Sequence, residues 1–186
     1  MERAINKWPE FSFFDKPSSN TYPSGIFTLL DAYNYIIGDK AKATTEQLRT
    51  ISDKDEAKQF KFNNFDFCTF SGTFSYRNAA SLSQHSTLIT ADLDDVEDVE
   101  KVRQQLLEDE YFDTQLLFVS PRGHGLKWVV EIDLSQACHE DYFRAISNYL
   151  KQTYNLEVDK SGRDVCRACY LPYDPTCYIN PKYLAI

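Results

Sequence analysis

The chain has no apolar run approaching the roughly 18 residues that a membrane-spanning helix needs. Its first residues, Met1 to Pro9, lack the basic-then-apolar order of a signal peptide. Both absences point to a cytoplasmic protein without a membrane partner. Five cysteines, an odd number, do not make a disulfide framework. Cys166 and Cys169 form a CxxC with Cys177 nearby, but a structural zinc needs a fourth ligand, and only Asp174 or the distant His139 offers one. Positive charge is scarce as well: 20 Lys and Arg stand against 28 Asp and Glu, a formal net charge of −8. That balance disfavours indiscriminate nucleic-acid binding, whose affinity comes largely from cationic contacts to phosphate. It leaves room for a local basic face built from Arg122, Lys127, Lys160, Arg163 and Arg167, because the acid concentrates in residues 92–100 and 108–113.

What is present is enough apolar and aromatic residue, 42% and 15%, to fill one sizeable core in 186 residues. We expect an α+β protein of two parts forming one compact unit. Residues 1–84 read as a mixed, largely helical lobe. Its expected elements are a strand over 11–14 and a helix over 24–37 capped by Ser24 and ended by Gly38. A short helix should follow the capping-box pattern Thr44-Thr45-Glu46-Gln47, another should cover 53–60, and residues 65–74 should form a half-buried strand broken at Ser71-Gly72. Residues 85–186 have a clearer rhythm: strand 87–92, helix 96–107, strand 115–119, a Gly/Pro turn, strand 126–132, helix 139–154 and a last strand within 166–171. This order, β-α-β-β-α-β, is that of the ferredoxin-like or RRM-like unit, in which two helices cover one sheet face and leave the other for a ligand. The order predicts strand 87–92 beside strand 126–132 in the sheet centre. RNA-binding relatives of that fold stack bases on surface aromatics of the central strands. Here the first strand offers Ile89, Ala91 and Asp92 instead.

Strand 87–92 runs directly into carboxylates: Leu-Ile-Thr-Ala-Asp-Leu-Asp-Asp, residues 88–95. Side chains alternate along a strand, so Asp92 and Asp94 share a face. Two converging carboxylates stay ionised together most easily around a hard cation such as Mg²⁺ or Mn²⁺. The competing reading makes Asp94 or Asp95 the N-cap of the following helix, with Asp98 in its first turn. A second segment, Ser120-Pro-Arg-Gly-His-Gly-Leu-Lys127, offers donors from Ser120, Arg122, His124 and Lys127. Its glycines would let backbone N–H groups point inward, which suits a triphosphate, although a plain hairpin turn fits as well. A third segment, 158–163, supplies Asp159, either a third metal ligand or an ordinary turn residue before Gly162.

The three segments in this order resemble the archaeo-eukaryotic primase (primase-polymerase) superfamily, in particular the N-terminal domain of virulence-associated-E-type proteins. The resemblance rests on Ala91-Asp-Leu-Asp94, on residues 120–127, and on Asp159-Lys-Ser-Gly-Arg-Asp-Val-Cys-Arg-Ala-Cys-Tyr-Leu-Pro-Tyr-Asp-Pro175, with a looser match through Phe70-Ser-Gly-Thr-Phe74. It implies a metal-dependent nucleotidyltransferase that binds nucleoside triphosphate and a DNA or RNA template-primer, working with a helicase domain or partner. It implies Asp92, Asp94 and Asp159 as catalytic ligands of Mg²⁺ or Mn²⁺, and Ser120, Arg122, His124, Lys127 and Arg167 as nucleotide-binding residues. Joining a nucleotide to a 3′-hydroxyl then uses two cations about 3.5–4 Å apart. The sequence departs from the family pattern at Lys127, where a His normally contacts phosphate. Lys127 keeps a positive charge there but not imidazole chemistry. The alternative is a catalytically inactive nucleotide- or nucleic-acid-binding module of the same fold. A metal-dependent phosphoesterase would use clustered aspartates too.

Overall fold

The computed structural model describes residues 8–185. Residues 1–7, which carry most of the segment lacking a signal-peptide pattern, and residue 186 lie outside the described residues. The chain is mixed α+β, and all of its strand pairings among the described residues are antiparallel.

The first part begins with β1 (Glu10–Phe14) and β2 (Gly25–Thr28), followed by three helices, α1 (Leu29–Ile37), α2 (Lys42–Thr50) and α3 (Lys54–Asn64). Next come β3 (Phe67–Thr69) and the hairpin of β4 (Gly72–Phe74) with β5 (Leu82–His85). The expected helix 24–37 is in fact a strand followed by a shorter helix. Thr28, not Ser24, caps it, because Thr28 and Asp31 form a reciprocal capping box. The Thr44–Gln47 pattern does not start α2 either. Thr45 lies inside the helix and donates its hydroxyl to the Ala41 carbonyl at 2.7 Å. Asp53 caps α3 by accepting from the Asp55 and Glu56 amides.

The second part contains β6 (Leu88–Leu93), α4 (Val99–Leu107), β7 (Thr114–Val119), β8 (Leu126–Glu131), α5 (His139–Tyr154), β9 (Cys169–Tyr170) and β10 (Tyr178–Ile179). One sheet runs β10-β7-β8-β6 and another runs β2-β1-β3-β9. β6 and β8 pair as expected, Asp92 opposite Lys127, but β6 is an edge strand rather than a central one. The expected last strand goes elsewhere: Cys169–Tyr170 pairs with Phe67–Cys68 in the first sheet, where Tyr170 meets the rings of Phe65 and Phe67. The free edge of β6 is met instead by residues 156–159, through one backbone bond from the Asp159 N–H to the Asp92 carbonyl at 2.9 Å. That approach cannot lengthen into a ladder, because Asp159 at once caps a 3-10 turn over Lys160–Arg163.

Alternation within the β6–β8–β7 strands sorts the core into two layers. Ile89, Ala91, Leu117, Trp128 and Val130 pack with Val102 and Leu106 of α4 and with Phe143, Ile146 and Leu150 of α5. The buried Trp128 indole donates to the Thr114 hydroxyl at 2.8 Å, so burying it strands no donor. The opposite face carries Leu88, Val129, Leu116 and Phe118, which pack against Phe11, Phe13 and Phe70 and against α1. That face is therefore covered by the first part of the chain rather than left open, except at Asp92 and Lys127, which line a cleft.

Candidate metal and nucleotide site

Asp92 lies near the end of β6, and Asp94 follows directly after the strand in the turn. Neither Asp94 nor Asp95 caps α4; Asp98 does, accepting the Lys101 N–H at 3.0 Å, and the helix starts at Val99 rather than 96. The capping explanation for the Asp94 carboxylate is thereby removed. Asp159 is carried to the same place by its backbone bond to Asp92. Asp92, Asp94 and Asp159 each offer an oxygen, and these oxygens all lie within 4.8 Å of one another. Ligands of one octahedral ion with bonds near 2.1 Å are about 3–4 Å apart, so modest side-chain rotations would bring the three onto a common ion. The donor set is all carboxylate, which suits a hard cation such as Mg²⁺ or Mn²⁺ rather than a thiolate- or imidazole-seeking one. Among the described residues, no other group of three or more His, Cys, Asp or Glu side chains lies close enough to hold an ion.

The carboxylates are not bare. Lys127, opposite Asp92 in the ladder and only 8% exposed, points its ammonium at the Asp92 carboxylate in a direct ion pair. Burial pushes the Lys127 amine down, but the Asp92 charge and hydrogen bond outweigh it, and the net shift is upward; the group stays cationic. Asp159 also holds its own turn, accepting the Ser161 N–H at 2.9 Å, and pairs with Arg167 at 3.3 Å. Burial alone would raise the Asp159 pKa, yet the Ser161 bonds and Arg167 bring it below the usual carboxylate value. Asp94 is the exposed member and, among the described residues, pairs with no cation within 4 Å. Burial of part of its carboxyl and the neighbouring Asp92 and Asp159 charges raise its pKa, against the pull of Lys127 and Lys61.

The turn over residues 120–125 forms one rim. The Gly123 N–H donates to the Ser120 carbonyl at 2.9 Å and the Ser120 N–H to the Gly125 carbonyl at 2.8 Å. The Gly123 amide is thus used inside the turn and does not point at a ligand. Gly123 takes a positive φ of 84°. Gly125 is required for steric reasons, since a Cβ there would sit 2.2 Å from the Leu93 carbonyl oxygen and 3.3 Å from the Asp94 Cα. The missing side chain lets the turn close onto the end of β6, where the His124 carbonyl accepts the Val96 N–H at 2.8 Å. Arg49 of α2 braces the turn from behind, donating to the Pro121 carbonyl at 3.2 Å.

A cleft of about 420 Å³ brings these parts together. Ser120, Arg122, His124, Lys127 and Arg167 all line it, with Asp92 and Asp94. Lys54 and Lys61, absent from the sequence expectations, line it too. They are seven residues apart on α3 and so share a face, but nothing in the sequence ties that face to the aspartates. Lys61 lies over the Tyr170 ring at 5.9 Å. Burial, then the Lys127 charge, lower its pKa, against the opposing pull of Asp94 and Asp92.

Residues 62–179 match the family model described as BT4734-like, N-terminal domain. The chain belongs to this family. The matched span contains every site residue expected from the sequence and stops just short of Lys54 and Lys61. No curated protein and no solved structure matches the chain.

Proposed function

We propose that the chain is a metal-dependent nucleotidyltransferase of primase-polymerase type, acting on nucleoside triphosphates and a DNA or RNA template-primer. The observation that carries the reading is the convergence of the Asp92, Asp94 and Asp159 carboxylates, the first two of which line a cleft that Lys54, Lys61, Arg122, Lys127 and Arg167 also line. On this reading the three carboxylates hold Mg²⁺ or Mn²⁺, which would supply Lewis-acid stabilisation of charge on the reacting phosphate. Ser120, Arg122, His124 and Arg167, joined by Lys54 and Lys61, neutralise and orient the triphosphate. No covalent nucleophile is needed. We take β6, β8 and β7 with α4 and α5 as an RRM-like unit in which residues 156–159 stand where a fourth strand would flank β6. What supports this is the β6-β8-β7 order and the packing of both helices on one face. Among the described residues no helix is long and apolar enough to cross a membrane.

One observation favours the second reading, an inactive binding module working with a helicase. Asp92 and Asp159 already have cationic partners in Lys127 and Arg167. Primer extension and de novo synthesis assays with Mg²⁺ or Mn²⁺ decide between the two. An active wild type that loses at least about 100-fold on Asp94→Ala supports the enzyme. A wild type that binds nucleotide but incorporates none, with ribo- or deoxyribonucleotides, sinks it and leaves the module.

A further inference from the structure

We propose that the Lys127 ammonium permanently fills one of the two positive positions of the site, so that the carboxylate cluster takes a single divalent cation. This rests on the metal reading above. Lys127 is not a free arm that could swing to a phosphate. Its backbone is held on both sides, opposite Asp92 in β6 and opposite Phe118 in β7. Its neighbours Leu126 and Trp128 are fully buried in the layer facing α4 and α5, which fixes the strand's rotation and sends Lys127 to the other face. There it is 8% exposed and its charge ends on the Asp92 carboxylate.

Charge balance gives the consequence. Three carboxylates carry three negative charges, and Lys127 cancels one. The remaining two match one divalent ion, and Arg167 on Asp159 reduces the demand further. A second divalent ion would need Asp92 as a bridging ligand and would sit beside a buried ammonium that cannot swing away, a like-charge contact in a poorly solvated place. The chemistry asks for two positive charges near the reacting oxygens; here one of them is built into β8.

The test counts bound Mn²⁺ by electron paramagnetic resonance and isothermal titration calorimetry, on the wild-type chain and on Lys127→Met. The expected result is one ion per wild-type chain with an uncoupled spectrum. In Lys127→Met a second ion should bind, giving a spin-coupled pair. Two ions in the wild type overturn the inference while leaving the metal site standing, as does a folded Lys127→Met that still takes only one. No Mn²⁺ binding to the wild type overturns the metal site itself. The wild-type count decides the matter even if Lys127→Met does not fold.

Discussion

Replacing Asp92 by Ala leaves a buried ammonium without its partner, and the cost of that should appear in stability before it appears in activity. Lys127 and Asp92 side chains are 10% and 16% exposed. Removing one partner of a buried ion pair typically costs about 3–5 kcal/mol, because the surviving charge keeps its desolvation penalty. Asp94 is near enough to offer partial compensation, so we expect the lower end, about 2–4 kcal/mol. Against a total stability of roughly 5–15 kcal/mol for a domain of this kind, that is a large share. With a urea m-value on the order of 2 kcal/mol/M, the unfolding midpoint should fall by about 1–2 M. The double variant Asp92→Ala/Lys127→Met removes both charges and should recover at least half of the loss. Asp94→Ala, exposed and without a cation partner, should unfold within about 0.3 M of wild type. Urea titrations followed by tryptophan fluorescence read all three. A midpoint for Asp92→Ala equal to wild type, or a double variant no better than the single, would refute a desolvated Lys127–Asp92 pair. The practical corollary is that Asp94→Ala, not Asp92→Ala, separates a catalytic loss from a folding loss.

His85 and His139 provide a pH-dependent prediction. The His85 Nδ1 accepts the Thr87 N–H at 2.9 Å, so its ring proton sits on Nε2 and is donated to the His139 Nδ1 at 3.1 Å. Burial, then the facing His139, push His85 down to about 4, and burial pushes His139 down as well, with Asp164 the nearby opposing charge. Both rings are neutral in the folded protein and take up protons more readily once it unfolds. Stability is therefore full above about pH 6.5 and declines as pH falls toward 4, by about 1–2 kcal/mol after discounting the part of the His85 ring that faces solvent. Carboxylates with lowered pKa, such as Asp66 and Asp109, add their loss only around and below 3.8. Urea midpoints that do not decline between about pH 6.5 and 4.5, or that decline equally in His85→Gln, would remove the pair as the cause. At the turn, Gly125→Ala places a methyl against the Leu93 carbonyl; it should cost about 1–3 kcal/mol and weaken Mn²⁺ binding at least tenfold by moving Asp94. Unchanged Mn²⁺ affinity in a folded Gly125→Ala would show that the close approach does not position Asp94.

Elements were legible where one signal dominated. The α5 helix carries its apolar residues at uninterrupted helical spacing and spans His139–Tyr154 as expected. β6, β7 and β8 are short apolar runs bounded by polar turns. Where two signals competed, the local one that prevailed was capping chemistry. The pattern over 24–37 is helical throughout, yet the reciprocal bonds of Thr28 and Asp31 start the helix at Leu29 and release Ile26 and Phe27 to pair with β1. Cys169–Tyr170 was expected to close the sheet of β6, β7 and β8 and instead joins the other sheet, because a two-residue strand has no periodicity to specify its partner. Its partner was chosen by aromatic contacts with Phe65 and Phe67, far earlier in the chain.

The site was legible as three segments but not as a network, and the difference is one of register. Knowing that Asp92 and Lys127 lie on neighbouring strands is not enough to pair them; a one-residue slip would send Lys127 into the α4–α5 core and bring Trp128 to the cleft. The register is fixed by the apolar alternation Leu126-Lys-Trp-Val, which buries Leu126 and Trp128 on one face, and by the closure of the turn through Gly125 onto Leu93. Once it is fixed, the departure at Lys127 changes meaning. A lysine expected from the sequence to meet phosphate as a point charge becomes a charge built into the floor of the site. Meeting an incoming anion then falls to Arg122 and to Lys54 and Lys61, which the turn and α3 hold along the walls.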